Sequence, residues 1–279
     1  WQLWAKDYGK ETAAKITNAH LGEAALDLTL KSSDQHPAGM KLPTGSLRLE
    51  PGYGRIEELA GYDQGNWWVQ DVAASLPVKL LGDVSGKAIA DICAAPGGKT
   101  MQLAAGGAKV TAVDISQRRL ERVQENLERV GLEADIVCTD VLDWQPDTLF
   151  DALLLDAPCS ATGTIRRHPD ALYLKKSHDI DALCKLQKQL LTKAAALIKP
   201  GGELVYCTCS LQKREGELQV AQFLAENSHF EPQPVTPSQV GEMDHLINDQ
   251  GDLRTLPFHT AGDSTGMDGF FISRIIRKT

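Results

Sequence analysis

The chain reads as an α/β protein, an open and largely parallel sheet with crossover helices, preceded by a small α+β module. Three observations lead there. From about residue 83, short apolar, β-rich runs alternate with amphipathic helical runs. The first of these runs ends in a cluster of small residues and paired glycines that opens a helix. Before residue 60 the pattern differs, with one helix followed by short strand-like pieces.

Taken in order, the strands of the main sheet are predicted at 87–93, 109–115, 134–139, 151–156, 202–207 and 269–276. Between them, Ser116 is placed to cap a helix running to Val130, where Gly131 closes it. A second long amphipathic helix spans 179–198 and stops at Lys199-Pro200-Gly201-Gly202. Further helices are read at 70–81, 98–105 and 213–227. The early part gives a helix over 6–20 and strands over 25–31 and 46–50. Residues 61–66 have a turn-rich composition that predicts a hinge, so the module is drawn as residues 1–66 and the main domain as 67–279. Trp67-Trp68 could stack a base, but the pair fits a strand core better.

Length and composition set the outer limits. At 279 residues the chain exceeds the usual domain of about 100–200. It is 42% hydrophobic and 24% charged, and no run reaches the roughly 18 apolar residues of a membrane span. The first residues, Trp1-Gln2-Leu3-Trp4, carry no signal pattern and read as the edge of a longer chain. Six cysteines without a Cys-x-x-Cys spacing suggest a reducing cytoplasm, neither a disulfide scaffold nor a metal site. The net charge of -8 weighs against a uniformly basic polyanion binder. Charge is uneven, however: residues 165–199 hold eight Lys and Arg against three acids, whereas 211–260 hold three against eight. A local basic groove in an acidic chain remains compatible with a polyanion.

The densest motif is Asp91-Ile92-Cys93-Ala94-Ala95-Pro96-Gly97-Gly98-Lys99-Thr100, at the end of the first strand of the sheet and the start of a helix. In open parallel sheets ligands bind beyond the carboxyl ends of the strands, and small residues let backbone approach them. Neither the phosphate-loop spacing nor Gly-x-Gly-x-x-Gly is present, which argues against nucleoside triphosphate and NAD. Asp114 and Asp140 end the next two strands. A carboxylate after the second strand suits ribose hydroxyls, and one after the third suits the exocyclic amine of adenine. Either acid could instead simply cap the helix after its strand.

Two cysteine motifs end the fourth and fifth strands, Asp156-Ala157-Pro158-Cys159-Ser160 and Thr208-Cys209-Ser210, and both should face the cofactor. Paired thiols there fit methylation at C5 of cytosine. That carbon is a poor nucleophile until a thiolate adds at C6 and makes C5 enamine-like. Charge developing at N3 then needs a donor, and Asp156 is the candidate. The second thiol would assist loss of the C5 proton or release of product. Cys93, Cys138, Cys184 and Cys207 read as small buried hydrophobes.

Together these three motifs resemble the bacterial RNA cytosine-5 methyltransferases of the Sun/Fmu (NOL1/NOP2) family. The resemblance implies a Rossmann-like class I sheet that uses S-adenosyl-L-methionine, held by Cys93, Ala94, Ala95, Pro96, Gly97, Gly98, Lys99, Asp114, Asp140 and Asp156. It implies Cys209 as nucleophile and Cys159 as the thiol that assists release. DNA cytosine-5 enzymes attack from the Pro-Cys position, so this division of roles rests on the family match. Residues 161–170 and 266–271 resemble the branch acting on small-subunit ribosomal RNA, which points to a cytosine of 16S rRNA. Members of that branch usually carry a NusB-like N-terminal domain, which the resemblance implies would precede the residues read here.

The basic residues Arg166, Arg167, His168, Lys175 and Lys176 are expected to contact RNA phosphates, with the 1–66 module helping to hold RNA. A monomer is expected, with no membrane or metal partner. A tRNA cytosine-C5 methyltransferase, a noncatalytic RNA-binding or ribosome assembly factor, and a small-molecule methyltransferase stay open as alternatives. The last leaves both cysteines unexplained.

Overall fold

A computed structural model describes residues 1–31, 35–171 and 177–279. The chain opens with helix α1 (Gln2–Ala19), kinked at Gly9, and then strands β1 (Leu26–Leu30), β2 (Met40–Lys41), β3 (Leu47–Leu49) and β4 (Trp67–Val69). These strands make an antiparallel sheet in the order β2-β3-β1-β4. Trp67 and Trp68 are buried, so the indoles serve the core and present no face to a base. The stretch expected to hinge contacts Arg129. Arg129 donates to the Tyr62 carbonyl at 2.9 Å and the Trp67 carbonyl at 3.1 Å, and its guanidinium lies 4.4 Å from the Tyr62 ring centre. Beneath this sheet Arg48 is fully buried against Asp27 at 2.7 Å and also donates to Ser264 Oγ at 2.9 Å.

Helix α2 (Val72–Leu80) leads into β5 (Ala88–Ile92), α3 (Gly98–Ala105), β6 (Lys109–Asp114), α4 (Gln117–Val130), β7 (Asp135–Cys138) and β8 (Phe150–Asp156). After these come α5 (Ser177–Ala196), β9 (Ile198–Thr208), α6 (Glu217–Glu226), β10 (Phe230–Pro232), β11 (Leu253–Arg254), the β12–β13 hairpin (Thr260–Ala261, Ser264–Thr265) and β14 (Phe271–Arg277). The main sheet runs β10-β14-β9-β8-β5-β6-β7, with β11 paired to β14. From β7 to β9 neighbouring strands are parallel, and β14 is antiparallel to β9. Strand order reverses at β5, whose neighbours are β6 on one side and β8 on the other, and the crevice beyond that switch point is where an α/β sheet takes a ligand.

The strands are apolar on both sides because helices cover both faces. Ile89, Leu154, Val205 and Cys207 face α2 and α3, while Ala90, Leu153, Leu155 and Tyr206 face α5 and α6. In α4 the buried side chains Leu120, Val123, Leu127 and Val130 repeat at helical spacing, each contributing about 1.5–3 kcal/mol on burial. Ser116 caps this helix and Gly131 closes it in the left-handed region, as its sequence predicts.

Several boundaries move, among them the start of α1, at Gln2 where residue 6 was expected. Residues 199–202 were expected to be a helix stop, but they continue β9, whose pairing with β8 shifts register between Phe150 and Ala152. Residues 213–215 form a separate 3-10 turn before α6. Among the described residues no helix is long and apolar enough to cross a membrane.

Candidate active site

The glycine-rich turn lies where β5 meets α3. Cys93 takes a left-handed conformation, the Ala95–Pro96 peptide is cis, and Gly97 sits at φ 103° as the N-terminal cap of α3. That φ favours glycine, and glycine offers no side-chain oxygen to the helix end. The start of α3 therefore has no side-chain cap and lies next to the small, buried Ala94 and Ala95. This is a cradle that backbone of a nucleoside-like ligand could enter. Lys99, from the first turn of α3, is buried and donates to Asp156 Oδ2 at 2.7 Å across the ends of β5 and β8. Burial opposes its charge, but Asp156 leads the groups that outweigh burial, so the ammonium is held above its ordinary range. Behind it Thr100 Oγ1 donates to Asp91 Oδ2 at 2.6 Å, and burial pushes the Asp91 carboxyl up to about 7.

Asp114 ends β6 and is buried. Its oxygens accept from Ser116 N at 3.0 Å and Ala95 N at 3.3 Å, tying β6 to the cofactor-loop candidate. Arg119 pairs with it at 3.1 Å and donates to the Ala95 carbonyl at 2.6 Å, so a half-exposed guanidinium lies over the acid. Asp140, half-buried, accepts from Leu142 N at 2.9 Å. Neither acid caps a helix, because Ser116 caps α4 and a turn leads from β7 to β8; each instead accepts from the backbone N–H two residues on, at the carboxyl end of its strand.

The two cysteine motifs converge. Cys159 Sγ and Cys209 Sγ are 3.3 Å apart, beyond the ends of β8 and β9. The contact with Cys209 and then burial push the Cys159 thiol well up. The Arg167 guanidinium is within electrostatic reach of the Cys209 sulfur. Asp156 bridges the two halves of the site, accepting from Lys99 and from the Cys207 thiol at 3.5 Å.

Three expectations need correction or restriction. Cys207 is a buried thiol pushed well up by burial, and Cys93 and Cys184 are half-buried, but Cys138 is exposed because it ends β7, the last strand of the sheet. Arg166 is not a free phosphate ligand. Its side chain is 5% exposed and ion-paired to Asp71 and Asp268. Arg167 also pairs with Asp268 but keeps an exposed face, and His168 is exposed. Lys175 and Lys176 lie outside the described residues.

Sequence reasoning missed several supporting groups. Asp71 caps α2, accepting from Ala73 N at 2.9 Å and Asp268 N at 3.0 Å, and so ties the loop before β14 to the start of the sheet. Arg119 and the buried Glu215 were also overlooked. Glu215 lay inside a predicted helix, where an acid ordinarily marks a solvated turn.

The β7-β6-β5-β8-β9-β14-β10 order, with the glycine-rich turn and acids at the strand ends, defines a Rossmann-like methyltransferase fold. The chain belongs to the 16S rRNA methyltransferase RsmB/F family, whose family model matches residues 78–276. It is 41% identical over 238 residues to ribosomal RNA small subunit methyltransferase B of Erwinia tasmaniensis, covering 84% of this chain and 52% of that protein. The protein of the same name from Sodalis glossinidius is 38% identical over 270 residues, 93% of this chain and 57% of its own length. The chain thus spans about half the length of the curated relatives it matches. A solved structure of a methyltransferase homologue protein from Pyrococcus horikoshii is similar at a TM-score of 0.78 and 26% identity, covering 99% of this chain and 93% of that one.

Proposed function

We propose that this chain is the catalytic part of an S-adenosyl-L-methionine-dependent RNA cytosine-C5 methyltransferase acting on 16S rRNA, with residues 1–66 helping to hold the RNA. The observation that carries the chemistry is the 3.3 Å approach of Cys159 and Cys209 beside the Lys99–Asp156 pair. The substrate class rests on the family and on the names of its relatives.

The N-terminus of α3, the small residues 93–98 and the acids Asp114, Asp140 and Asp156 fit the cofactor. When bound there it supplies an electrophilic methyl group on a sulfonium. Asp114 would hold the ribose hydroxyls and Asp140 the adenine amine, and the N-terminus of α3 would offer N–H groups to a carboxylate. An unpaired cytosine enters between the thiols. Cys209 thiolate adds to C6, placing the electron pair on the ring, where Asp156 supports N3. C5, made nucleophilic in this way, would take the methyl carbon as the S–CH3 bond of the cofactor breaks and its electron pair stays on the sulfur of the departing thioether. Transfer of the C5 proton to water lets the C5–H pair form the C5–C6 double bond and expels Cys209 as thiolate, and Cys159, in contact with Cys209 at 3.3 Å, assists that release.

The test is transfer of labelled methyl from S-adenosylmethionine to unmodified 16S rRNA, and to tRNA, by the parent protein, Cys209→Ala and Cys159→Ala. The expected result is no transfer for Cys209→Ala and a denaturation-resistant protein–RNA adduct for Cys159→Ala. Ordinary turnover without Cys209 would overturn the mechanism, and transfer confined to tRNA would overturn the substrate.

A further inference from the structure

Behind the two thiols lies a buried carboxylate that the chemistry itself does not use. Glu215 is fully buried in the turn between β9 and α6. Its Oε1 accepts from Ser160 N at 2.8 Å and from Gln187 Nε2 at 3.1 Å. Its Oε2 accepts from Ser160 Oγ at 2.5 Å and Ser210 Oγ at 2.6 Å. Ser160 follows Cys159 and Ser210 follows Cys209, so the residue after each thiol is tied to one carboxyl group.

The ties extend outward. Gln187, from α5, also donates to the Pro158 carbonyl at 2.8 Å, on the other side of Cys159. Ser210 Oγ accepts from Gln212 N at 3.0 Å, and the Glu215 carbonyl accepts from Tyr206 Oη at 2.8 Å, fixing the acid to the body of β9. The carboxylate thereby joins the loop after β8, helix α5 and the loop after β9. The hydrogen bonds to a buried acceptor are costly to leave unmade, so the geometry they impose is stiff.

We infer that Glu215 is the positioning residue that sets the Cys159 and Cys209 loops at reacting distance. This rests on the methyltransferase reading for its catalytic consequence, but the placement of the thiols can be read without catalysis. Glu215 touches no reacting atom. It acts through Ser160 and Ser210, and its loss lets the two loops separate while the sheet and the glycine-rich turn keep their own bonds.

The experiment compares the parent with Glu215→Gln, which keeps size but replaces one acceptor by a donor. Far-UV circular dichroism and a cooperative melt establish that the variant folds. Expected are a kcat on 16S rRNA lower by about 10- to 100-fold, the cost of misplacing reacting groups by about 1 Å, and KM values within about threefold of the parent. In parallel, phenylarsine oxide is titrated into each protein and followed by intact mass. The arsenical condenses with two neighbouring thiols, forming two As–S bonds and releasing water. The parent should take it up across Cys159 and Cys209, Cys159→Ser should lose that uptake, and Glu215→Gln should weaken it by roughly tenfold, in line with the kinetic loss.

A folded Glu215→Gln with parental kcat and parental arsenical uptake would overturn the inference, as would absence of bridging in the parent. If the parent transfers no methyl group yet bridging still weakens in Glu215→Gln, the methyltransferase reading fails and the positioning role stands. Should Glu215→Gln not fold, Ser210→Ala removes a single anchor. It should lower kcat by about three- to tenfold, within the worth of one hydrogen bond, and an unchanged kcat would sink the proposal.

Discussion

Replacing Arg166 by Met separates two readings of a residue that looks, in sequence, like an RNA contact. In the structure the guanidinium is 5% exposed and pairs with Asp71 and Asp268, whose side chains are 2% and 0% exposed. Removing one partner from such a buried group costs about 3–5 kcal/mol, because the remaining charge is left uncompensated. Here the lower figure applies. Asp268 keeps Arg167, and Asp71 keeps the Ala73 and Asp268 N–H groups. With an unfolding entropy of about 2.1 cal/mol/K per residue, a 279-residue chain has about 0.6 kcal/mol/K in total, so 3 kcal/mol lowers Tm by about 5 °C. Calorimetry at pH 7 reads that shift, and filter binding between about 50 and 200 mM salt reads phosphate contacts. A Tm within about 1 °C of the parent, together with a salt slope shallower by about 0.7, would refute the structural assignment and return Arg166 to the RNA.

Three other perturbations probe the site. Burial places the Asp91 carboxyl at about 7, against about 3.9 in the unfolded chain, so the folded state binds more protons between those values and its stability falls as pH rises through them. Asp91→Asn removes that slope, so urea melts should show the variant gaining on the parent from about pH 5 to pH 8; parallel curves would dismiss the buried acid as the cause. In Gly163→Ala the added Cβ would lie 1.9 Å from the Gly269 carbonyl oxygen, and both partners are backbone. The loop must shift, at about 1–3 kcal/mol, and because Gly163 N donates to the Cys209 carbonyl at 2.9 Å, kcat should fall with Tm; a parental melt and rate would contradict the close approach. Asp114→Asn cannot accept on both arms, and loss of a charged hydrogen bond of about 1.5–3 kcal/mol should weaken S-adenosylmethionine binding by about 10- to 100-fold in calorimetry. Unchanged affinity would move the ribose elsewhere.

Strands β5 to β9 and β14 were legible because each holds a short apolar run, the form that a strand covered on both faces must take, whereas β2 and β10 to β13, of two or three residues each, were too short to show a period. Helix α4 was legible because cap, period and closing glycine agree. Position within the sheet was harder to read. Cys138 has the composition of a core residue, yet β7 is the last strand and leaves it exposed. Arg166 and Arg167 are adjacent and identical in kind, and only the fold reveals that Asp71, about a hundred residues earlier, claims one of them. Residues 266–269 were singled out with the same loop, but nothing in their spacing said that Asp268 would meet it. Glu215 had no signal at all. Its role comes from four donors that the fold gathers from three segments.

The distance between the thiols stems from the pairing of β8 with β9. Asp156 stands opposite Cys207, and Ala157 N donates to the Cys207 carbonyl at 2.9 Å, so the two strands leave the sheet at one level. Two residues beyond Cys207, and three beyond Asp156, the chain reaches Cys209 and Cys159. Side chains alternate along a strand, so Cys207 turns into the core beneath α2 while Tyr206 turns to the opposite face. A slip of one residue would exchange these faces, burying the tyrosine among groups shaped for a thiol and swinging Cys209 away from Cys159. The apolar residues that make β8 and β9 recognisable as strands therefore also fix the register of the two thiols. Once the strands end, only the course of two short loops is still to be set, and that is where the shared carboxylate of Glu215 lies.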